Sequence, residues 1–224
     1  IACATGGGPI SFSTAVAAGT PTSAASTVAG SYGVERITST GVVTGGSTVS
    51  SLEYLSQAAG TINGQFSSNN LPVFTAKVKP SLTASGSNAR VFVGLGDKGV
   101  ASGLFPTNGV FFSNCTATAV PACAGTNWIG VVTTTAGGVV GTVTCTAGAE
   151  TGTINTANFN YLRIEVRANN DIHFFVDTNT ATGINETECG NGITGTGPAA
   201  TGLTLMLESA FMTNTVTTEN LDID

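Results

Sequence analysis

Charge is what this sequence has least of. Asp, Glu, Lys and Arg together make up 9% of its 224 residues, where a globular chain usually carries about a quarter. Seven Lys and Arg stand against thirteen Asp and Glu, giving a net charge of -6 and a pI near 4.6. The basic residues are scattered, with no run that would grip phosphates, so no nucleic-acid partner is expected. No apolar stretch has the length of a membrane span. No segment longer than a turn carries a 3.6-residue apolar period, so no significant helix is expected. With one His and no CxxC pair there is no zinc set.

What is present is small and uncharged. Gly, Thr, Ser, Ala and Asn dominate beside 41% apolar residues. Strand faces wetted by Thr and Ser rather than by Lys and Glu suit an extracellular β-protein. At this length a single β-sandwich is the natural reading.

The clearest local signal is Asn160 to Asp177, NYLRIEVRANNDIHFFVD. Leu162, Ile164 and Val166 alternate with Tyr161, Arg163, Glu165 and Arg167, and Ile172, Phe174 and Val176 alternate with His173, Phe175 and Asp177. A period of two places the aliphatic set on one strand face and the charged set on the other. Between the halves, Ala168-Asn169-Asn170-Asp171 supplies asparagines that tolerate the positive φ of a tight turn. The expectation is a long amphipathic hairpin, which needs a second layer over its apolar side.

Elsewhere Val73 to Lys79 alternates, with Phe74, Ala76 and Val78 inward and Thr75, Lys77 and Lys79 outward. Further strands are expected at Ile10–Val16, Tyr32–Ser39, Leu52–Leu55, Arg90–Leu95, Val110–Phe112, Asn127–Val132, Val139–Cys145, Leu203–Leu207 and Val216–Ile223. Residues 178–202 read as a Gly-rich loop. About a dozen short strands, punctuated by turns, point to an all-β antiparallel sandwich over residues 31–224. Residues 1–30 read as an extended arm or first strand. The start at Ile1 and the finish inside Leu221-Asp222-Ile223-Asp224 lead us to expect an excerpt of a longer chain.

Cysteines stand at 3, 115, 123, 145 and 189. Cys115 and Cys123 bracket a short loop that a disulfide would staple; Cys145 and Cys189 are the next candidate pair, leaving Cys3 odd. Five reduced, buried thiols in a cytosolic assembly are the open alternative.

The run FTAKVK, RVFVGLGD, NGVFF, NWIGVVTT, YLRIEVRANNDIHFFVD and LDID resembles the concanavalin A-like lectin/glucanase jelly roll. More narrowly it resembles the variant found in tail-fibre, neck and head-decoration proteins of tailed phages and in some bacterial surface proteins. The resemblance spans about residues 70–224 and departs at Thr178, where such relatives place Gly. It implies a two-sheet jelly roll that acts as a structural or display subunit, with copies of itself or other virion or surface proteins as partners. It also implies a structural calcium held by Asp97, Asp222 and Asp224, set against the plainer reading of surface carboxylates.

Glycosidases of that resemblance carry Glu-x-Asp-x-(x)-Glu on one strand. This chain has only Glu186 with Glu188, Asp222 with Asp224, and an isolated Glu165. Arg163 and Arg167 flank Glu165 and would keep it ionised, the opposite of a raised-pKa acid. A glutamic peptidase would need Gln57 or Gln65 beside Glu165, and a triad would need His173. No local motif supports either, so no catalytic residues are expected. Asn114 and Asn185 begin Asn-x-Thr sequons, which chance produces in so Asn- and Thr-rich a chain. The remaining candidates form a ligand or partner surface: Trp128 with Asn127 as a sugar platform, and Tyr161, Arg163, Glu165 and Arg167, joined by Lys77 and Lys79, on the wet face. A carbohydrate-binding module is the rival reading to a structural subunit.

Overall fold

The computed structural model describes residues 12–16, 22–25, 35–40, 48–54, 56–58, 61–63, 67–81, 89–96, 106, 108–114, 126–134, 139–146, 152–178, 183–195, 197–198, 203–211 and 218–224. Statements of absence below concern these residues.

Among them are sixteen strands. The first eight are β1 (Phe12–Val16), β2 (Thr22–Ala25), β3 (Glu35–Thr40), β4 (Thr48–Tyr54), β5 (Ser56–Ala58), β6 (Thr61–Asn63), β7 (Val73–Pro80) and β8 (Ala89–Gly96). The rest are β9 (Gly109–Ser113), β10 (Ile129–Thr133), β11 (Val139–Thr144), β12 (Asn160–Arg167), β13 (Asp171–Asp177), β14 (Thr187–Glu188), β15 (Thr204–Phe211) and β16 (Thr218–Ile223). Two seven-stranded antiparallel sheets result, ordered β1-β4-β15-β8-β9-β10-β11 and β14-β13-β12-β7-β16-β3-β2, with β5 and β6 as a separate ribbon. Two single 3-10 turns are the helical segments among the described residues, so the expected all-β two-sheet sandwich holds.

Three elements depart from the sequence reading. β2 lies inside the N-terminal stretch expected to be arm, and it pairs with β3. The β5–β6 ribbon was not foreseen. β14 forms inside the Gly-rich segment by pairing Thr187 and Glu188 with Val176 and Phe175. Each is four residues or shorter, too short for a period-two pattern to rise above composition.

The central hairpin forms as its alternation requires. Leu162, Ile164 and Val166 lie opposite Val176, Phe174 and Ile172, and all six are buried. In the turn, Asn169 (φ 61°) and Asn170 (φ 54°) take left-handed conformations, which asparagine tolerates better than most residues. β7 joins the other side of β12 with Ile164 opposite Phe74. From the facing sheet come Val91, Val93, Leu95, Val110, Phe112 and Val132, which complete one apolar core.

Packing is close at the centre. The Phe174 ring stands edge-on to Phe112 at 5.2 Å, and a Cβ at Gly130 would lie 2.5 Å from that ring. Glycine at 130 is therefore the concession that admits Phe174, whose burial contributes about 1.5–3 kcal/mol. β9 and β10 are buried along their whole length. Phe92, Phe111, Ile129 and Val131 form a second apolar cluster, and by alternation these residues face away from the other sheet. That is why both strands read as continuous apolar runs rather than alternating ones.

Candidate functional site

Five of the seven Lys and Arg, namely Arg36, Lys77, Lys79, Arg163 and Arg167, belong to β3, β7 and β12 of one sheet. Strand alternation turns them to its outer face, since the neighbours Phe74, Val78, Leu162, Ile164 and Val166 fill the core. Across the strands Tyr161 sits opposite Lys77 and Asp177, Arg163 opposite Thr75 and Phe175, and Glu165 opposite Val73 and His173. The wet face expected from sequence thus brings Tyr161, Arg163, Glu165 and Arg167 together with Lys77 and Lys79.

The ionisable groups of this face neutralise one another. Glu165 is held by Arg163 on one side and by Arg167 at 2.6 Å on the other. Arg163 also pairs with Glu186 and lies 3.8 Å over the Phe175 ring. Lys77 pairs with Asp224, and Lys77 and Lys79 both stand over Phe159, at 5.1 and 5.4 Å. Asp222 is only 1% exposed. It accepts two hydrogen bonds from Arg36, at 2.6 and 2.8 Å, and lies 3.5 Å from Lys79. The exposed pairs contribute little each; removing the partner of a buried carboxylate such as Asp222 is a larger loss.

His173 is set between two carboxylates. Its Nδ1 meets Glu188 and its Nε2 meets Asp171 at 2.9 Å. Partial burial pulls the imidazole pKa down, but the hydrogen bonds to Glu188 and Asp171 outweigh it even against the nearby Arg167, and the net shift is upward. With both ring nitrogens engaged by carboxylates, neither is presented to a serine.

A folded-state pKa above the unfolded one of about 6.5 stabilises the protein fully below that pH, and the contribution disappears as pH rises through the folded pKa. The stability gap between wild type and His173→Gln is therefore expected to be wider at pH 6 than at pH 8.5. Urea midpoints at the two values measure it. A gap that is constant or widens with pH would mean the imidazolium is not held by this pair.

Several sequence expectations need correction. Trp128 is fully buried, packed edge-on to Phe112 at 6.2 Å with its Nε1 donating to Asn160 Oδ1 at 3.1 Å. It lies between the sheets, on the opposite side of β12 from Tyr161, and cannot stack on a sugar. Asn127 donates from Nδ2 to the Cys145 carbonyl at 2.9 Å and bridges to Thr153. It acts as a bracket for the β10 and β11 ends. The six candidates therefore split into a core Trp128, a half-buried Asn127 at the strand ends and a sheet-face group.

Of the calcium candidates, Asp222 is paired with Arg36 and Lys79 and Asp224 with Lys77, while Asp97 lies outside the described residues. Of the cysteines, Cys145 and Cys189 form a disulfide; Cys3, Cys115 and Cys123, with Gln65, lie outside the described residues. Gln57 is in the small ribbon. Asn114 is buried and accepts from the Val91 N–H, whereas Asn185 is exposed.

Sequence reasoning missed Asn160 altogether. Its Oδ1 accepts from Trp128 and from the Asn155 N–H at 2.9 Å, and its Nδ2 donates to the Val78 and Asn155 carbonyls at 3.1 and 2.8 Å. Buried polar side chains persist when satisfied in this way. Two of the Asn160 partners, Trp128 and Val78, lie far away in sequence, so no local pattern announces the role.

No family model matches the sequence, and no curated protein matches it significantly. Solved structures do resemble it. A protein of unknown function from Shewanella oneidensis MR-1 superposes with a TM-score of 0.51 at 11% identity, over 98% of this chain and 80% of that one. The lectin UEA-II, solved in complex with galactose, superposes with a TM-score of 0.50 at 12% identity, over 96% of this chain and 90% of that one. Likeness at such low identity establishes the fold: this chain is a two-sheet antiparallel β-sandwich of lectin-like architecture.

Proposed function

We propose that this chain is a non-enzymatic structural or display subunit of a virion or an extracellular surface assembly. The observation that carries this reading is the mutual pairing of acids and bases across the outer face of the β12–β13 sheet. Glu165, Asp222 and Asp224 are each held by a cation, and His173 by two carboxylates. General acid–base chemistry needs groups whose environments push their pKa values apart, whereas Glu165 sits between two arginines. The buried Cys145–Cys189 disulfide favours an oxidising compartment. The virion setting is suggested by the resemblance of the strand phrases in the sequence alone.

A second reading, glycan recognition, is favoured by the half-buried rings of Phe159, Tyr161 and Phe175 among hydrogen-bonding charges on that face. The solved lectin of similar fold binds galactose, which makes galactosides the first glycans to try. The test pairs light scattering and electron microscopy of the purified protein with a glycan array and a glycosidase and acid-peptidase panel. Assembly without glycan binding or turnover is the expected result. Glycan binding that disappears in Phe175→Ala would move the assignment to a lectin, and turnover that disappears in Glu165→Gln would move it to a hydrolase.

A further inference from the structure

Asn-Gly occurs three times in the chain, at Asn63-Gly64, Asn108-Gly109 and Asn191-Gly192. In such a pair the backbone nitrogen of the second residue can attack the side-chain carbonyl of the asparagine. Glycine, with no Cβ, hinders that attack least. A folded chain permits it only where the asparagine side chain can turn and the following N–H is not committed elsewhere.

The structure separates the pairs. Asn108 is 4% exposed, and Gly109 opens β9, paired with Thr133 on one side and Gly96 on the other. A Cβ at Gly109 would lie 2.8 Å from the Leu95 carbonyl, so the backbone there is tightly enclosed. Asn63 ends β6 opposite Ser56, and Gly64 lies outside the described residues. Asn191, by contrast, stands exposed in a turn after β14. Neither its side chain nor the Gly192 N–H has a hydrogen-bond partner among the described residues.

The fold also keeps glycine at 192. Gly190 (φ 60°) and Gly192 (φ 76°) both take left-handed conformations. A Cβ at 192 would lie 2.8 Å from the Ile172 carbonyl and 3.1 Å from His173 Nδ1. Both flanks of the turn are anchored: the Cys189 N–H donates to Phe174, and Ile193 exchanges two hydrogen bonds with Ile172.

From these observations we infer that Asn191 is a site of covalent self-modification, at which the side-chain amide is lost as ammonia. The Gly192 nitrogen bonds to Asn191 Cγ, the Cγ–Nδ2 bond breaks, and the proton from Gly192 leaves with the ammonia. Water then opens the cyclic imide at one carbonyl or the other, leaving aspartate or isoaspartate. Either product adds one negative charge to the chain's -6, a covalent change of the kind that alters local electrostatics. Isoaspartate also lengthens the main chain between the anchored Cys189 and Ile193. The change falls next to His173, which already lies between Asp171 and Glu188.

The test is peptide mapping by mass spectrometry, at mildly acid pH, of protein aged at pH 8.5 while folded and, separately, in urea. Isoelectric focusing of aged wild type and Asn191→Gln runs beside it, since glutamine keeps the amide but must close a larger ring. In urea the Asn108 and Asn191 peptides are expected to convert at similar rates, because only local sequence acts there. In the folded protein Asn191 is expected to convert several-fold faster than Asn108, to a mixture of aspartate and isoaspartate. The acidic band of aged wild type is expected to be weaker in Asn191→Gln. Asn191 that stays intact in the folded protein while the urea sample converts overturns the inference. So does an acidic band of equal strength in the glutamine variant. A folded rate ratio equal to that in urea overturns it as well, because the fold would then select nothing.

Discussion

Replacing Cys145 and Cys189 together by alanine is expected to lower the unfolding free energy by about 4 kcal/mol, the loop-entropy value for a closure of this length. The bridge spans 44 residues. It ties the end of β11 in one sheet to the residue after β14 in the other. Both cysteines are 1% exposed, so alanine also leaves a void. The backbone contacts at both positions survive the substitution, since the Cys145 N–H donates to Trp128 and the Cys189 N–H to Phe174 and alanine keeps both donors. The Gly152 backbone (φ 66°) lies so close to the Cys145 carbonyl that a Cβ there would come within 1.8 Å of it. Urea denaturation of the double variant, and of wild type with and without reductant, measures the effect. A loss under about 1 kcal/mol, well below the loop-entropy value, would mean that strand pairing alone holds this edge.

Trp128→Ala is expected to cost about 3–5 kcal/mol, the range for truncating a buried aromatic. The indole packs against Phe112 and donates to Asn160, and Asn160 in turn ties β12 to the Val78 carbonyl on β7 and to Asn155. Trp128→Phe keeps a buried aromatic ring but loses the N–H and leaves a void where the larger indole packed. Although Asn160 Oδ1 still accepts from Asn155, that variant is expected to cost more than the roughly 1 kcal/mol of an ordinary hydrogen bond and less than Trp128→Ala, because a smaller cavity is added to the lost bond. Thermal and urea melts rank the two. Trp128 is the only tryptophan, so its fluorescence reports directly: blue-shifted emission, poorly quenched by acrylamide, is expected of the folded protein. A Trp128→Ala protein with wild-type stability and altered glycan binding would return Trp128 to the surface and undo the core assignment. Trp128→Ala is consequently a poor control for a sugar site; Phe175→Ala, on the outer face, is the cleaner one.

Much of the outer face was legible before any coordinates. Lys77, Arg163 and Glu165 alternate with aliphatic residues on their own strands, and that alternation places them outward whatever the fold. The asparagine turn was legible for the same reason, since its positive φ values are a property of the residues themselves. Trp128 was ambiguous because an indole beside an asparagine suits both a sugar platform and a buried hydrogen-bonded ring. The ion pair that holds Asp222 was not legible, because its partner Arg36 lies 186 positions earlier, beyond the reach of any spacing argument.

The amino-acid sequence by itself determined that this chain is built of strands, which side of the central hairpin is apolar, and that few charges lie outside it. Those follow from backbone geometry, which acts over two to four residues. Tertiary structure alone decided that Cys145 meets Cys189, that arginine and lysine neutralise Asp222, and that Trp128 is interior. Each of these depends on which strands become neighbours, and that is settled only when two sheets bury their apolar faces against each other.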